Sequence, residues 1–500
     1  MTTSARALLD RFTGRISMYL LILVILSVLA VVAFVLALTG ELGFDPLAML
    51  ASAAVLIVAT TASGWLLARL FRTRAHLQSS LISALLLFFL FFPTTALPQL
   101  GSLALAGVIA SVSKYVLAVG GRHVFNPAAI AAFVVTIFTG LNASVWWVAT
   151  AWLLPFAAIG AFLVLWRTRK LLLGVAFTVV AAMITVTRLV DFGTDPGTAL
   201  VTAFTSYPIV FLAGFMLSEP LTLPPRRWQQ VLIAVVVAVV FAVPFNIGGL
   251  YNTPELALLV GNLIAFFFGQ RHGLPLEFLG RRQLTPTSWE FSFKPRRAAR
   301  FTPGQYLELF LPHRADLRGS RRLFSITSAT PEEITIGVKI SEPASSFKLA
   351  LQDLAPGEIV RSTGVGGDFV LPRDESMKVL LVAGGIGVTP FVSQLSAGPR
   401  RNAVLVYSVS SADELAFAPK LAASGARVLV IAPERFAALP DGWEYLGPGH
   451  LTADRLRQAV PDVAERAAYV SGSPAFVDGI RRVVRAAGAR RLRTDLFAGY

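Results

Sequence analysis

The 500-residue sequence contains no cysteine. Disulfides, thiolate-bound iron–sulfur clusters, cysteine-type structural zinc and cysteine nucleophiles are excluded together, so any electron carrier must be held by other groups. Charge is also scarce: 15% of residues are charged against 55% hydrophobic, and the mean hydropathy of +0.66 is too apolar for a soluble protein of this size. Histidine is limited to His76, His123, His272, His313 and His450. None is central in a long apolar run, which argues against haem held by paired histidines on facing helices, and no metal site is read from the sequence. The net charge of +15 arises from arginines at the ends of apolar runs and within one polar region. It is not an aromatic-interleaved basic stripe, so no nucleic-acid partner is expected.

What is present is a series of uncharged or nearly uncharged runs: residues 17–39, 46–68, 79–99, 101–119, 124–142, 144–166, 171–187, 197–217, 230–248 and 255–270. They predict about ten helices in lipid, where only internally hydrogen-bonded backbone is stable. The first run lacks a small-residue cleavage site and reads as a retained span. With loops assigned alternately, one side collects Arg6, Arg11, Arg15, Arg72, Arg74, Arg122, Arg167, Arg169, Lys170, Arg226, Arg227 and Arg271, and the other only Arg188. That asymmetry predicts a multi-pass protein of a prokaryotic plasma (inner) membrane, in contact with lipid, with both termini cytoplasmic. The opposite loops carry Glu41, Asp45, Asp191, Asp195 and Asn252. No short-period repeat is visible, although ten spans could hold a five-plus-five duplication.

From about residue 275 the pattern changes to short β-like runs, such as 306–311 and 334–340, broken by Pro, Gly and charged turns. From 378, short apolar strands at 379–383, 403–408, 427–431 and 468–471 alternate with helix-like stretches, which predicts a parallel α/β unit.

The strongest local signal is the strand that ends in Gly384-Gly385-Ile386-Gly387-Val388-Thr389-Pro390. Glycines there let backbone approach a dinucleotide closely, although such a turn alone also fits a plain strand-to-helix connection. Upstream stands Arg322-Leu323-Phe324-Ser325, in which an arginine can pair with a pyrophosphate, an aromatic face can stack on a flavin and a hydroxyl can reach its reacting nitrogen. Ser346, then Gly364-Val365-Gly366-Gly367-Asp368-Phe369, then Gly472-Ser473-Pro474, and finally Phe497-Ala498-Gly499-Tyr500 follow in order.

Taken in this order, these motifs resemble the ferredoxin–NADP reductase superfamily over about residues 275–500. The resemblance implies an FAD-binding antiparallel β-barrel at 275–372 and a parallel α/β NAD(P)H-binding domain at 373–500. It implies FAD contacts from Arg322, Phe324, Ser325, Ser346, Gly366, Gly367 and Phe369. Gly384, Gly385, Gly387, Thr389, Pro390, Ser410, Gly472, Ser473 and Pro474 would hold the nicotinamide nucleotide, with Ser325, Ser471 and Tyr500 nearest the chemistry. Three positions depart from the family: Phe324 stands for Tyr, Val365 for Pro, and Ser471 for a cysteine. The segment 407–413 lacks the arginine that would meet a 2′-phosphate, which leans the reading to NADH over NADPH.

Ahead of this module, residues 1–16 are expected to form a cytoplasmic tail and 17–271 a ten-helix membrane domain. Its distinctive strings, 121–128 with Arg122 and Asn126-Pro127 and 215–222 with Glu219-Pro220, resemble the RnfD/NqrB type of membrane protein, the flavin-carrying components of the Rnf complex and of the sodium-pumping NADH:quinone reductase. Those components hold flavins, some as FMN bonded to a threonine in a Ser-Gly-Ala-Thr string. The loop 191–198 has Thr198 but not that string, so a second flavin, FMN or riboflavin, is expected to be noncovalent. Lys114, Asn126 and Thr198 are its candidate contacts; helix-end turns and a snorkelling lysine are the plainer readings.

The expected function is transfer of electrons from NAD(P)H through FAD to a membrane flavin and across to an extracytoplasmic FMN-binding protein. Two alternatives stay open: an NAD(P)H:quinone reductase, and a redox-driven or redox-gated ion transporter.

Overall fold

The computed structural model describes residues 9, 13–73, 75–119, 122–268, 273–398 and 402–497. Arg6, Arg11, Arg74, Gly121, Arg271, His272, Ala498, Gly499 and Tyr500 lie outside the described residues. The chain divides into two units: Ile16–His272, and Gly273–Tyr500 together with Met1–Arg15.

The first unit is helical. Its helices are α1 (Met18–Leu38), α2 (Pro46–Leu70), α3 (Leu77–Leu90), α4 (Leu97–Val116), α5 (Pro127–Thr139), α6 (Leu154–Arg167), α7 (Leu171–Asp191), α8 (Pro196–Thr205), α9 (Ile209–Phe211, continuing as a π turn over Leu212–Met216), α10 (Arg227–Ala242) and α11 (Pro254–Phe267). Four of them start the same way. The side chains of Asp45, Asn126, Asp195 and Thr253 accept first-turn amide bonds, and proline follows each, where its missing N–H costs nothing.

Each of the ten apolar runs contains helix, but among the described residues only α1, α2, α4 and α7 are long and apolar enough to cross a membrane, and α8 with the α9 segment forms a pair bent by 49°. The others have 13 to 16 residues, about 20–24 Å of rise against a hydrocarbon core of about 30 Å. Ten full-length helices are therefore not what forms. An uncharged run does not separate helix from extended chain, and α3 ends at Leu90 because Phe91 is extended and Pro93 follows.

Both helix breaks are stitched by protein groups, the condition for irregular backbone in an apolar unit. Ser52 Oγ donates to the Thr94 carbonyl and accepts from its amide, and the Trp147 indole donates to the Phe88 carbonyl at 2.6 Å. After the π turn, the Arg122 guanidinium donates to the Pro220 and Leu221 carbonyls at 2.7 and 3.3 Å.

The packing order recurs in the two halves. α2 packs on α3 and α4, and α4 on α5; likewise α7 packs on α8 and α10, and α10 on α11. A two-residue hairpin precedes α5 (β1, Ala118–Val119; β2, Arg122–His123), and another precedes α11 (β3, Asn246–Ile247; β4, Leu250–Tyr251). The halves meet through α1 with α6 and α5 with α11. Close approach is needed where the π turn crosses α6: a Cβ on Gly214 would lie 2.3 Å from Ala161 Cβ and 2.6 Å from Ala161 Cα. Gly214→Ala should lower the melting temperature of the detergent-solubilised protein by about 5–10 °C through overpacking, measured by tryptophan fluorescence; an unchanged melting temperature would contradict this packing.

The second unit begins with six antiparallel strands: β5 (Leu274–Gln283), β6 (Ser288–Pro295), β7 (Tyr306–Phe310), β8 (Arg321–Ser325), β9 (Ile334–Lys339) and β10 (Ile359–Gly366), in the order β8-β7-β10-β5-β6-β9. An antiparallel bridge between Ile326 and Ile336 brings the two edges together, so the sheet curls into a barrel around Phe278, Phe291 and Phe293. Helix α12 (Ser346–Gln352) lies between β9 and β10 in sequence.

The remaining strands are β11 (Val379–Gly384), β12 (Ala403–Ser408), β13 (Arg427–Ile431), β14 (Glu444–Gly447), β15 (Ala467–Gly472) and β16 (Arg491–Leu496). All pair parallel, in the order β14-β13-β12-β11-β15-β16. Both faces are covered: Val379, Leu381 and Ala383 enter one core, and Leu380 and Val382 the other. Helices α13 (Thr389–Ser396), α14 (Ala418–Ala422), α15 (Ala453–Ala459) and α16 (Pro474–Ala486) complete the unit. Strand order reverses between β11 and β15, the place where open parallel sheets bind ligands beyond their carboxyl ends.

Candidate functional site

Strand β8 carries the first cluster. Arg322 is buried at 6% exposure, and its Nη1 donates to the carbonyls of Arg318, Gly319 and Arg321 at 2.8–2.9 Å. Asp316 stands 3.6 Å from its Nη2, and the guanidinium lies 5.2 Å over the Phe347 ring. Phe324 is half-buried, its ring 5.8 Å from Phe347. Ser325 is 3% exposed, and its buried Oγ has no hydrogen-bond partner among the described residues.

Ser346 opens α12. Its Oγ accepts from the Asp316 amide and lies 3.1 Å from His313 Nε2; His313 Nδ1 lies 2.9 Å from the Leu311 carbonyl. His313 was not singled out in the sequence because its partner lies 33 residues away. Lys348 was missed as well. Burial pushes it below the ordinary lysine value, and the charges of Arg318, Arg322 and Lys339 add to the effect. A crowd of cations and an orphaned buried hydroxyl fit a pyrophosphate and a flavin ring, so the residues present suit FAD.

This shift carries a pH signature. The unfolded chain keeps the Lys348 proton to higher pH than the folded chain does. Stability of the flavin-free protein should therefore rise with pH between the lowered value and the ordinary value of 10.5. Denaturant titrations across that window check it: Lys348→Met should flatten the slope, and an equal slope in both proteins would contradict the placement of this lysine.

At the reversal point, β11 runs into a 3-10 turn over Gly385–Val388. Gly385 has φ +53°, which glycine tolerates. A Cβ on Gly387 would stand 2.6 Å from Gly472 Cα and from the Ser471 carbonyl oxygen. A Cβ on Gly384 or Gly472 would strike the Phe476 ring at 2.7 or 2.8 Å, so Phe476 is the site residue that the sequence reading passed over. Thr389 is buried and donates to the Ile386 carbonyl; Pro390 is buried beside it. Ser471 is fully buried, its Oγ without a partner among the described residues, while Ser473 caps α16 at the Phe476 amide and Pro474 is its first residue. Ser410 is exposed just past β12.

Gly366 is buried opposite Tyr306, and a Cβ on Gly367, at φ +109°, would press on the Tyr306 ring. Phe369 departs from expectation. It packs in the α/β core, 5.6 Å from Phe391 and 5.4 Å from Tyr469, because the chain has already left the barrel. Tyr500 lies outside the described residues.

In the helical unit, the two distinctive strings come together. Asn126 caps α5 through Oδ1, donates from Nδ2 to Glu219 Oε2 at 3.0 Å, and donates its amide to Asn262 Oδ1 at 2.8 Å. His123 Nδ1 stands 3.6 Å from Glu219 Oε1. Arg122, His123, Thr222, Asn262 and Phe266 line a small cleft. Lys114 Nζ donates to the Ser79 carbonyl and hydroxyl at 2.8 and 3.0 Å. Thr198 is exposed and bonded to Asp195. Among the described residues, no group of three or more His, Asp or Glu side chains could hold a metal ion.

No protein-family profile matches the chain. The C-terminal part resembles FAD- and NAD-binding modules of the ferredoxin–NADP reductase type. An NADPH oxidoreductase of Mycobacterium tuberculosis is 29% identical over 220 residues, 42% of this chain and 54% of that protein. The ferredoxin reductase component of 3-ketosteroid-9-alpha-monooxygenase of Mycolicibacterium smegmatis is 29% identical over 196 residues, 38% of this chain and 53% of that protein. The chain thus spans about half the length of these curated relatives. Among solved structures, the flavohem-like FAD/NAD binding domain of a nitric oxide dioxygenase from Vibrio cholerae is 20% identical, with 45% of this chain and 98% of that one covered and a TM-score of 0.39.

Proposed function

We propose that the protein is a membrane-bound NAD(P)H-dependent flavin oxidoreductase that passes electrons from its C-terminal module to a redox group in its own helical unit. Strand β8 carries the reading: buried Arg322, half-buried Phe324 and the unpartnered Ser325 hydroxyl stand on one strand, in the same unit as a glycine turn at a strand-order reversal. FAD, when bound, accepts two electrons as hydride and releases them one at a time. Arg322, Lys348 and Ser346 would hold its pyrophosphate, and the Ser325 hydroxyl would donate to its ring. Gly384 to Gly387 and Gly472 would admit the nicotinamide nucleotide, with NADH favoured because residues 407–413 carry no arginine.

The helical unit is read as a relative of the flavin-carrying membrane components of the Rnf complex and of the sodium-pumping NADH:quinone reductase, with FAD upstream of a second, noncovalent flavin at Asn126. The meeting of the two distinctive strings at Asn126 and Glu219 supports this, as does the recurring packing order. Short helices joined by stitched extended segments would complete about ten crossings of the plasma membrane, with the C-terminal module cytoplasmic by the arginine asymmetry. The final acceptor is read as an extracytoplasmic FMN-binding protein. A second reading is direct quinone reduction, for which the polar side chains of His123 and Asn262, on one lining, would be the contacts.

Acid extraction and chromatography of flavins from the purified protein test the assignment. FAD with a second extractable flavin is the expected result, and Asn126→Leu should remove only the second. FAD alone would favour quinone reduction, and absence of FAD would overturn the reading.

A further inference from the structure

Between Asp478 and Asp495 the chain carries six arginines and no carboxylate: Arg481, Arg482, Arg485, Arg490, Arg491 and Arg493. They wrap the end of α16 and the edge strand β16. Arg482, Arg485, Arg490 and Arg491 are exposed and Arg481 is half-buried, and none of these five is ion-paired among the described residues. Elsewhere in the same α/β part three arginines are matched, Arg427 with Glu444, Arg457 with Asp454 and Arg466 with Asp462, and Arg455 is spent on backbone carbonyls. Arg493 is occupied, donating to the Asp368 and Val370 carbonyls.

We propose that this five-arginine edge is a docking surface for the phosphate headgroups of anionic phospholipids. Guanidinium groups match phosphate oxygens two bonds at a time, and each arginine near an anionic leaflet adds to the attraction. The apolar face of α16 is used inside the protein, where Val477, Ile480 and Val484 are buried, so the contact is made at headgroup level without insertion. No aromatic residue lies between 477 and 495 to stack on a base, which disfavours nucleic acid. The nucleotide turn is at the opposite end of α16, with Arg485 about 16 Å along the helix from Pro474, so the patch is separate from the dinucleotide site. The proposal rests on the membrane reading of the N-terminal helices, which keeps a lipid surface within reach of the module.

The absence of cysteine supplies a clean probe. A Cβ on Gly479 would meet nothing within 4 Å, so Gly479→Cys labelled with a fluorophore reports on α16 alone. The full chain is placed in nanodiscs carrying a headgroup-attached quencher, either neutral phosphatidylcholine or with roughly one third phosphatidylglycerol. Quenching should be roughly threefold greater in the anionic discs. It should fall to the neutral-disc level in about 1 M salt, where the screening length is about 3 Å. The combined replacement of Arg481, Arg482, Arg485, Arg490 and Arg491 by glutamine should abolish the difference with FAD content unchanged; if that variant fails to fold, the salt titration of the parent decides. Equal quenching in both discs, insensitivity to salt, or preferential binding of duplex DNA over anionic lipid would overturn the proposal. Co-elution of protein and disc at high salt tests the membrane reading by itself.

Discussion

Arg322→Ala is expected to leave the purified protein without FAD. The guanidinium organises the turn through the carbonyls of Arg318, Gly319 and Arg321, and it is the most buried cation of the cluster that would face the pyrophosphate. Loss of charge-assisted bonds costs about 3 kcal/mol, roughly 100-fold in FAD affinity. Arg322→Lys keeps the charge but has one donor nitrogen, so it cannot bond the turn carbonyls through Nη1 and present a second nitrogen to a phosphate, and it should fall between the two. Flavin absorbance per protein and FAD titration of the stripped protein measure this. Full FAD occupancy in Arg322→Ala would remove β8 from the binding site.

The second large effect is at Gly387. Its missing Cβ leaves room for backbone on the other side, with Gly472 Cα and the Ser471 carbonyl both at 2.6 Å from where a methyl would stand. Neither is a flexible side-chain end, so Gly387→Ala must push the ends of β11 and β15 apart. The expected outcome is a fall of roughly 100-fold in kcat/KM for NAD(P)H, about 3 kcal/mol. FAD content and reduction by dithionite should stay normal, since β8 is untouched. Gly385→Ala is the control: it meets nothing within 4 Å but must adopt φ +53°, so strain of about 1 kcal/mol and a roughly fivefold loss are expected. Equal effects at the two positions would mean that the close approach at Gly387 does not shape the nucleotide site.

The strands of the second unit were legible because their signal is local. Continuous apolar runs such as 379–383 and 403–408 end in turn residues, and they form β11 and β12 nearly to the residue. The glycine turn was legible for the same reason. Partners distant in sequence were not: His313 meets Ser346, Phe476 fills the space above two glycines, and Lys348 gathers the charges of Arg318, Arg322 and Lys339. In the helical unit the uncharged runs located every helix and misjudged their lengths, because Phe91 and Thr94 are as apolar or neutral as the helix before them. What ends α3 is Pro93 together with a serine 42 residues away that satisfies the freed backbone. The partner of Lys114 was not legible either, because Ser79, to which it ties the end of α4, stands 35 residues away at the start of α3.

Anaerobic stopped-flow reduction of the full chain in nanodiscs tests the central claim most directly. Mixing with NADH should bleach FAD first and then a second flavin in a slower phase, and Asn126→Leu should abolish only the slower phase. If NADH and NADPH both leave the flavin absorbance unchanged, or if FAD bleaches and no electrons appear in the helical unit, the account of a reductase module feeding its own membrane unit is contradicted.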